Sequence, residues 1–275
     1  MSNLKDDVRS HWEEESCGTR YGSSDSRSDY FEEIEQARYR LESYIPGFAH
    51  FDQSAGKQVL EIGVGAGTDF RQWVENGARA TGVDLTNAAI ELARENVEAR
   101  SPGRGGWELR VDDAENLSFD DEQFDIVYSW GVLHHSPDTV RAIAEAYRVL
   151  KPGGTVRAMI YHDPSWTGWM LWAMHCLLRG KPFQSPRKAV FDQLESPGTK
   201  AYSLAEADAM LRDAGFRNRR VHTRLGPGDL LLTKPSEKYQ GLANRVIWAV
   251  YPRWLVRLLG DRFGLYLLME AEKPA

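Results

Sequence analysis

The chain has 275 residues and a formal net charge of −6, so it offers no general electrostatic attraction to a nucleic-acid backbone. Its 42% hydrophobic and 27% charged residues are ordinary for a soluble globular protein with a sizeable core. Two cysteines, Cys17 and Cys176, are too few for a disulfide framework and fit a reducing compartment. The polar first residues show no secretory signal, and no uncharged apolar run reaches the roughly 18–20 residues of a membrane-spanning helix. We therefore expect a cytoplasmic protein.

A helix is predicted ahead of the first strand. Asp29, with Glu32 three residues later, predicts a helix start of the capping-box type. The apolar face of this amphipathic helix continues through Phe31, Ile34, Leu41 and Ile45.

The middle of the chain alternates strand-like and helix-like segments, which predicts a mostly parallel sheet covered by helices on both faces. The predicted strands are Gln58–Ile62, Ala80–Asp84, Trp107–Asp112, Phe124–Trp130 and Thr155–Tyr161. The predicted helices between them are Thr68–Glu75, Asn87–Ala99 and Asp138–Leu150. The stretch "LKPGG" at 150–154 predicts the end of the last helix and a turn into the fifth strand.

Two apolar regions, 165–178 and 243–260, follow the fifth strand. Between them, residues 203–216 predict a surface helix that leads into a strand near Arg219–Thr223, and a final strand is expected over 264–272. The two apolar regions contain five of the nine tryptophans: Trp166, Trp169, Trp172, Trp248 and Trp254. The first three recur every third residue, so they form a helical stripe that either packs on the main domain or lines an apolar acceptor pocket.

A loop with three glycines leaves the first strand in "LEIGVGAGTD", residues 60–69. Ligands of open α/β sheets bind at the carboxyl ends of strands, where glycine lets the backbone approach them closely. A dinucleotide fingerprint would place its third glycine at position 68, which is Thr68, and no Gly-Lys-Ser/Thr phosphate loop follows. The spacing of Gly63, Gly65 and Gly67 therefore favours a cofactor without a pyrophosphate.

Acidic residues end the next two strands. Asp84 closes the second strand, where a carboxylate accepts hydrogen bonds from a ribose diol. After the third strand, the carboxylate of Asp113 is placed to accept from an adenine amino group, and the N–H of Ala114 to face the adjacent ring nitrogen. Asp112 competes with Asp113 for this role, and we favour Asp113.

Five motifs resemble, in their order and spacing, those of the class I S-adenosylmethionine-dependent methyltransferases. They are "VLEIGVGAGTD", "GVDLT", "DDAENLSF", "FDIVYSWGVLHHSPD" and "RVLKPGG". The resemblance covers residues 59–154, about a third of the chain. It implies an α/β, Rossmann-like, doubly wound and mostly parallel seven-stranded sheet with a reversed last hairpin. The cofactor-binding residues that it implies are Gly63, Gly65, Gly67, Asp84, Leu85, Asp113, Ala114 and Ser129, and Trp130 stands beside the last of these.

The resemblance also implies how the chain is divided. We expect an N-terminal helical lid over 1–50, the S-adenosylmethionine-binding core over 51–161, and an apolar cap over 162–202. Residues 203–275 would complete the sheet and contain an apolar helical insertion at 240–262. In the lid, Trp12, Tyr21, Tyr30 and Tyr39 would exclude water, and Arg38 would meet a carboxylate of cofactor or substrate; ordinary packing of an extra helix is the alternative for each.

Catalytic candidates leave the fifth strand on the same rim as the cofactor. His162 and Tyr161 are placed there to act as a base, because histidine titrates near neutral pH and a base must reach the proton that it removes. Packing under the cap is the alternative reading for both residues. His134 and His135 are typical of this loop in the family and not generally catalytic. No metal site is expected, since no set of ligands has metal-binding spacing around them.

The acceptor is not encoded in these motifs. The tryptophan-rich insertions favour a small, lipophilic acceptor over a protein or nucleic acid, and "SWGV" after the fourth strand disfavours the amide and purine-amine branches. The segment 243–260 contains Arg245, Arg253 and Arg257 and no acid, so peripheral contact with a membrane surface is also possible. Two alternative functions also remain: an NAD(P)-dependent oxidoreductase, and a module that binds S-adenosylmethionine without catalysis.

Overall fold

The computed structural model describes residues 4–14, 18–194, 198–232 and 251–275. The helices are α1 (Leu4–Glu14), α2 (Arg27–Leu41), α3 (Ile45–Ala49), α4 (Thr68–Glu75), α5 (Asn87–Arg100), α6 (Thr139–Val149), α7 (Trp166–His175), α8 (Pro186–Gln193), α9 (Leu204–Ala214) and α10 (Arg253–Leu259). The strands are β1 (Gln58–Ile62), β2 (Arg79–Asp84), β3 (Trp107–Val111), β4 (Phe124–Trp130), β5 (Leu150–Tyr161), β6 (Arg217–Arg224) and β7 (Tyr266–Glu272).

The seven strands form one sheet in the order β3-β2-β1-β4-β5-β7-β6. The pairs from β3 to β5 are all parallel, whereas β7 runs antiparallel to both β5 and β6. This confirms the predicted Rossmann-like, doubly wound and mostly parallel sheet with a reversed last hairpin. The strand order changes direction between β1 and β4, so a ligand crevice is expected above these two strands at their carboxyl ends.

The N-terminal helix differs from the prediction at both ends. Its N-cap is Ser26, whose hydroxyl accepts a hydrogen bond from the N–H of Asp29, so Asp29 lies within the first turn. The helix ends at Leu41, and Ile45 begins the separate short helix α3. The apolar spacing was right for both helices, but spacing alone does not show the break between them.

The fifth strand is longer than predicted. It begins at Leu150, which pairs with Phe124, and the predicted turn at 150–154 is part of the strand. Gly153 has a positive φ of 77°, and its N–H donates to the carbonyl of Lys273 near the chain terminus. The strand therefore continues through residues 150–154, whose sequence resembles a turn, because Gly153 bonds to Lys273 far along the chain.

The core lies on both faces of the sheet. Because successive residues of a strand point to opposite faces, Tyr128 and Trp130 join one apolar cluster and Val127 joins the other. Trp73 of α4 packs in the first cluster, and Ile143 of α6 packs in the second. Helices therefore cover both faces of the strands that end at the expected ligand crevice.

The predicted apolar cap consists of α7 and α8. The buried residues of α7 are Thr167, Gly168 and Leu171. Of the three tryptophans, Trp172 packs partly buried against the core, whereas Trp169 is exposed. Residues 240–250 of the predicted second insertion, with Arg245 and Trp248, lie outside the described residues, and α10 follows them. Within the described ranges, no helix has both the length and the apolar character needed to cross a bilayer.

Candidate cofactor-binding and active site

The glycine loop joins β1 to α4 at the carboxyl edge of the sheet. Gly63, Gly65 and Gly67 have φ values of 83°, 49° and 72°, which glycine adopts without strain. A Cβ atom on Gly63 would lie 2.1 Å from the side chain of Val132, and one on Gly67 would lie 2.7 Å from the backbone of Ala93. Packing within the protein therefore requires glycine at positions 63 and 67, whatever else the loop binds.

Asp84, at the end of β2, holds this loop. Its Oδ2 accepts from the N–H of Gly65 at 3.2 Å, and its Oδ1 accepts from the N–H and the hydroxyl of Thr86 at 3.1 and 2.9 Å. Burial raises the pKa of Asp84, against the lowering effect of these hydrogen bonds. An ionised carboxylate has about four acceptor positions, so Oδ2 retains one for a further donor such as a ribose hydroxyl. Leu85 follows, half-buried at the same edge.

The loop after β3 is shaped by Asp112 and reached by α1. Both carboxylate oxygens of Asp112 accept hydrogen bonds from within the loop, one from the N–H of Asp113 and two from Ser118, so Asp112 helps to hold the loop in shape. Asp113 accepts from the N–H of Glu115 at 2.9 Å and from Lys5 Nζ at 2.7 Å, and Lys5 also lies 2.6 Å from Glu115 Oε2. The predicted adenine end, with Ala114 half-buried beside it, is therefore in contact with α1.

Helix α1 lies across the carboxyl edge of the sheet. Besides Lys5, it contributes Glu13, whose Oε1 accepts from the N–H of Ala88 at the start of α5 at 3.2 Å. The ring of Trp12 meets the ring of His135 edge-on, with 5.3 Å between their centroids. The helix thus contacts the start of α5 and the loops that follow β3 and β4.

The loop after β4 contains Ser129 at its base and His134 at its turn. The Ser129 hydroxyl is buried and donates to the carbonyl of Ile62 at 2.9 Å, so it fixes the end of β4 against β1. The His134 side chain is fully buried, and neither ring nitrogen has a hydrogen-bond partner. Burial, and after it the charges of His135 and Lys200, lowers the pKa of His134 well below its ordinary value. A neutral imidazole without a hydrogen-bond partner on either nitrogen is therefore buried in the loop that follows β4.

Tyr161 is the last residue of β5, and His162 follows directly after it. The Tyr161 ring lies 4.0 Å from the His134 ring and stacks on Tyr266 at 6.0 Å, between centroids. The His162 ring is buried and its Nδ1 lies 3.0 Å from the carbonyl oxygen of Gly264. Burial lowers the pKa of His162 as well. The structure thus brings Tyr161 to His134 and directs His162 toward the β7 side.

A buried polar network supports the glycine loop from below. Arg38 Nε donates to Asp69 at 2.9 Å, and the hydroxyls of Tyr39 and Tyr128 donate to Asp69 at 2.9 and 2.8 Å. Burial, and after it the charge of Asp69, raises the pKa of nearby Glu61 well above its usual range. The sequence left two roles open for Arg38, a contact with a ligand carboxylate and ordinary packing of the helix; in the structure Arg38 is paired with Asp69 of the protein.

From the sequence, His134 was expected to be typical of its loop and not generally catalytic; its burial and the approach of Tyr161 could not be read from the motif. The network around Asp69 was not predicted. Within the described ranges, no three His, Cys, Asp or Glu side chains are grouped as a metal site requires.

Comparisons with known proteins decide the family. A family model described as a methyltransferase domain matches residues 60–158. The chain is 33% identical over 252 residues to 27-O-demethylrifamycin SV methyltransferase of Amycolatopsis mediterranei, and the match covers 88% of this chain and 85% of that protein. The chain belongs to the class I S-adenosylmethionine-dependent methyltransferases. It is also 43% identical over 101 residues to a phthiotriol/phenolphthiotriol dimycocerosates methyltransferase of Mycobacterium tuberculosis, of whose length it spans 36%.

Solved structures agree on the fold of this methyltransferase. The geranyl diphosphate C-methyltransferase of Streptomyces coelicolor superposes with a TM-score of 0.66 over 99% of both chains, at 15% identity. A phosphoethanolamine N-methyltransferase of Haemonchus contortus, solved with S-adenosyl-L-methionine, gives a TM-score of 0.59 over 86% of this chain and 52% of that one, at 22% identity. The family assignment decides against an NAD(P)-dependent oxidoreductase.

The residues at the carboxyl edge fit S-adenosylmethionine, the cofactor of this family. Asp84 offers an open acceptor position next to Gly65, where a ribose hydroxyl would bind, and the Asp113 side chain is a third exposed at the predicted adenine end. Glycine at 65 leaves no side chain between the loop backbone and that space. The contact that each of the eight predicted cofactor-binding residues makes with S-adenosylmethionine stays a prediction.

Proposed function

We propose that this methyltransferase transfers the methyl group of S-adenosylmethionine to a hydroxyl of a small, lipophilic molecule, with His134 as the base. The observation that carries the proposal is the buried His134 ring, which is neutral at physiological pH and has no hydrogen-bond partner on either nitrogen. A buried polar group without a partner is costly, so such a group in a ligand crevice indicates that a ligand satisfies it.

The acceptor class is supported by the acceptors of the related methyltransferases. The relative matched along most of its length acts on 27-O-demethylrifamycin SV, and the mycobacterial relatives act on phthiotriol and phenolphthiotriol dimycocerosates. Apolar side chains around the crevice fit such acceptors, since Trp130 and Tyr161 both belong to the buried cluster on that face.

The cofactor, when bound, supplies an activated methyl group, so the protein must mainly position the acceptor, exclude water and manage one proton. A hydroxyl is a weak nucleophile until its proton is removed. A neutral imidazole nitrogen of His134 would accept that proton, and the ring of Tyr161, 4.0 Å away, holds the imidazole in place. Helix α1, through Trp12 and Lys5, would keep water from the cofactor edge.

His162 was the base predicted from the sequence together with Tyr161. Its contact with the carbonyl of Gly264 favours a role in joining β5 to the start of β7, and Tyr161 then acts by orienting His134. We propose these roles for His162 and Tyr161, and we also propose that the atom that accepts the methyl group is an oxygen.

The experiment is transfer of labelled methyl groups from S-adenosylmethionine into fractionated extracts, followed by kinetics on the labelled acceptor. We expect label in a lipid-soluble fraction, and a loss in kcat of about a hundredfold or more for His134→Asn, because a positioned base contributes roughly that factor. His162→Asn is the matched control and should keep kcat within about tenfold. Cofactor affinity should be unchanged in both variants. Label only in protein or nucleic acid, or an unchanged kcat in His134→Asn, would contradict the proposal.

A further inference from the structure

Exposed apolar side chains are concentrated on one part of the surface. Twelve large apolar side chains are exposed among the described residues, and eight of them belong to two short segments, 169–191 and 254–259. These eight, which we name the cap-face patch, are Trp169, Leu177, Leu178, Phe183, Phe191, Trp254, Leu258 and Leu259. Scattered exposed apolar residues need no explanation, but a concentration of this kind marks an interaction site.

The two segments meet in space. Phe263, in the 3-10 turn that follows α10, lies 5.2 Å from Trp169 and 6.0 Å from Trp166, measured between ring centroids. Contacts at Phe263 therefore place the first turn of α7 beside the segment that follows α10, so the two parts of the patch are neighbours at Trp169.

The fold keeps the side chains of the cap-face patch exposed to solvent. The indole N–H of Trp172 donates to the carbonyl of Gln184 at 2.6 Å, and the Cys176 thiol lies 3.3 Å from Gln184 Oε1, so the loop between them is fixed at both ends. Within that loop Leu178 is 76% exposed and Phe183 is fully exposed. On α10, Val256 is buried, which turns Trp254 and Leu258 to the solvent at 70% and 74% exposure.

Basic residues surround the patch in a chain that is acidic overall. Segments 176–188 and 251–263 contain one acid, Asp261, which is paired with Arg224 at 3.1 Å. The same segments contain seven basic residues: Arg179, Lys181, Arg187, Lys188, Arg253, Arg257 and Arg262. Of these, Arg179, Lys181 and Arg257 are exposed and have no acidic partner within the described ranges.

We propose that the cap-face patch binds the surface of an anionic lipid bilayer. Apolar side chains flanked by exposed lysine and arginine are suited to the headgroup region, where the apolar groups enter the interface and the basic groups meet lipid charge. A symmetric dimer through the same patch would place the basic groups of two copies against each other, which is unfavourable. The inference does not depend on the identity of the methyl acceptor.

The test is flotation of the full chain with vesicles of phosphatidylglycerol and phosphatidylcholine in equal parts, and with vesicles of phosphatidylcholine alone. We expect binding to the anionic vesicles, weakened by added salt. Each basic residue near an anionic surface changes the binding constant roughly fivefold, so Arg179→Gln/Lys181→Gln should weaken binding roughly twenty-fivefold. Leu178→Ser/Phe183→Ser should weaken it by at least as much, because inserted apolar area contributes to the same equilibrium.

Matched controls come from exposed residues elsewhere. Val140→Ser and Arg220→Gln, at 54% residue and 74% side-chain exposure, should leave vesicle binding unchanged. All variants should keep the melting temperature and the cofactor affinity, which shows that they fold. No binding to anionic vesicles, equal binding to both vesicle types, or equal binding by the patch and control variants would overturn the proposal. A dimer that Phe183→Ser dissociates, without vesicle binding, would assign the patch to a second copy instead.

Discussion

Replacement of Arg38 by methionine tests how the glycine loop is supported. The Arg38 guanidinium donates two hydrogen bonds to Asp69, which is 3% exposed, and lies beside the equally buried Glu61. Removal of one partner from a buried ion pair costs about 3–5 kcal/mol, because the other charge is left unpaired in a medium of low polarity. The hydroxyls of Tyr39 and Tyr128 remain on Asp69, so we expect a loss in the free energy of unfolding of about 3 kcal/mol at neutral pH.

Urea denaturation measures this loss, with Arg40→Met as the matched control. Arg40 is exposed on the same helix, and its substitution should change the free energy of unfolding by less than about 0.5 kcal/mol. Burial already raises the pKa of Glu61, and without Arg38 this pKa should rise further. A carboxyl with a raised folded pKa loses stability as pH increases toward that pKa, so the deficit of Arg38→Met should be smaller at low pH than at high pH. Equal losses in the two variants, or a deficit independent of pH, would refute this account of the network.

Three further predictions address the rim of the site. The pKa of His134 is lowered in the folded state, so the free energy of unfolding should fall as pH drops below 6.5. Because one proton is involved, His134→Asn should reduce the slope of this fall by up to about 1.4 kcal/mol per pH unit. An unchanged slope in pH-dependent denaturation would contradict this. Gly67→Ala should cost about 2–3 kcal/mol in thermal denaturation, because φ is 72° and the added Cβ meets the α5 backbone; a cost below 1 kcal/mol would argue against that geometry. Lys5→Met removes the ion pairs with Asp113 and Glu115, so hydrogen exchange of α1 should accelerate while the core is unaffected; unchanged exchange would exclude the pairs as the attachment of α1.

The order of the core elements was predictable because their signals are local. A buried strand, a glycine turn and an amphipathic helix repeat from Gln58 to Tyr161, and this repetition has few solutions other than a parallel sheet. The boundaries that were wrong depend on distant partners. β5 extends to Leu150 because Phe124 pairs with it, and Gly153 is held by Lys273 at the far end of the chain.

The candidate site was predictable only where a motif fixes the role of a residue. Asp84 and the glycine loop meet because both end parallel strands at one edge. The Arg38–Asp69 pair spans 31 residues and belongs to no motif, so this partner of Arg38 could not be predicted from local patterns. The contact of Lys5 with Asp113 spans 108 residues and requires α1 to fold back over the sheet, which local patterns do not encode.

Calorimetric titration with S-adenosylmethionine, on the wild type and on Asp84→Asn, tests the central claim most directly. Asn retains the size of the side chain but removes its charge, and hydrogen bonds to a charged group contribute about 1.5–3 kcal/mol. We expect the wild type to bind and Asp84→Asn to bind at least about tenfold more weakly. Asp52→Asn, an exposed aspartate away from the edge, should bind as the wild type does. Equal affinity of the wild type and Asp84→Asn would contradict the placement of the cofactor on this edge of the sheet.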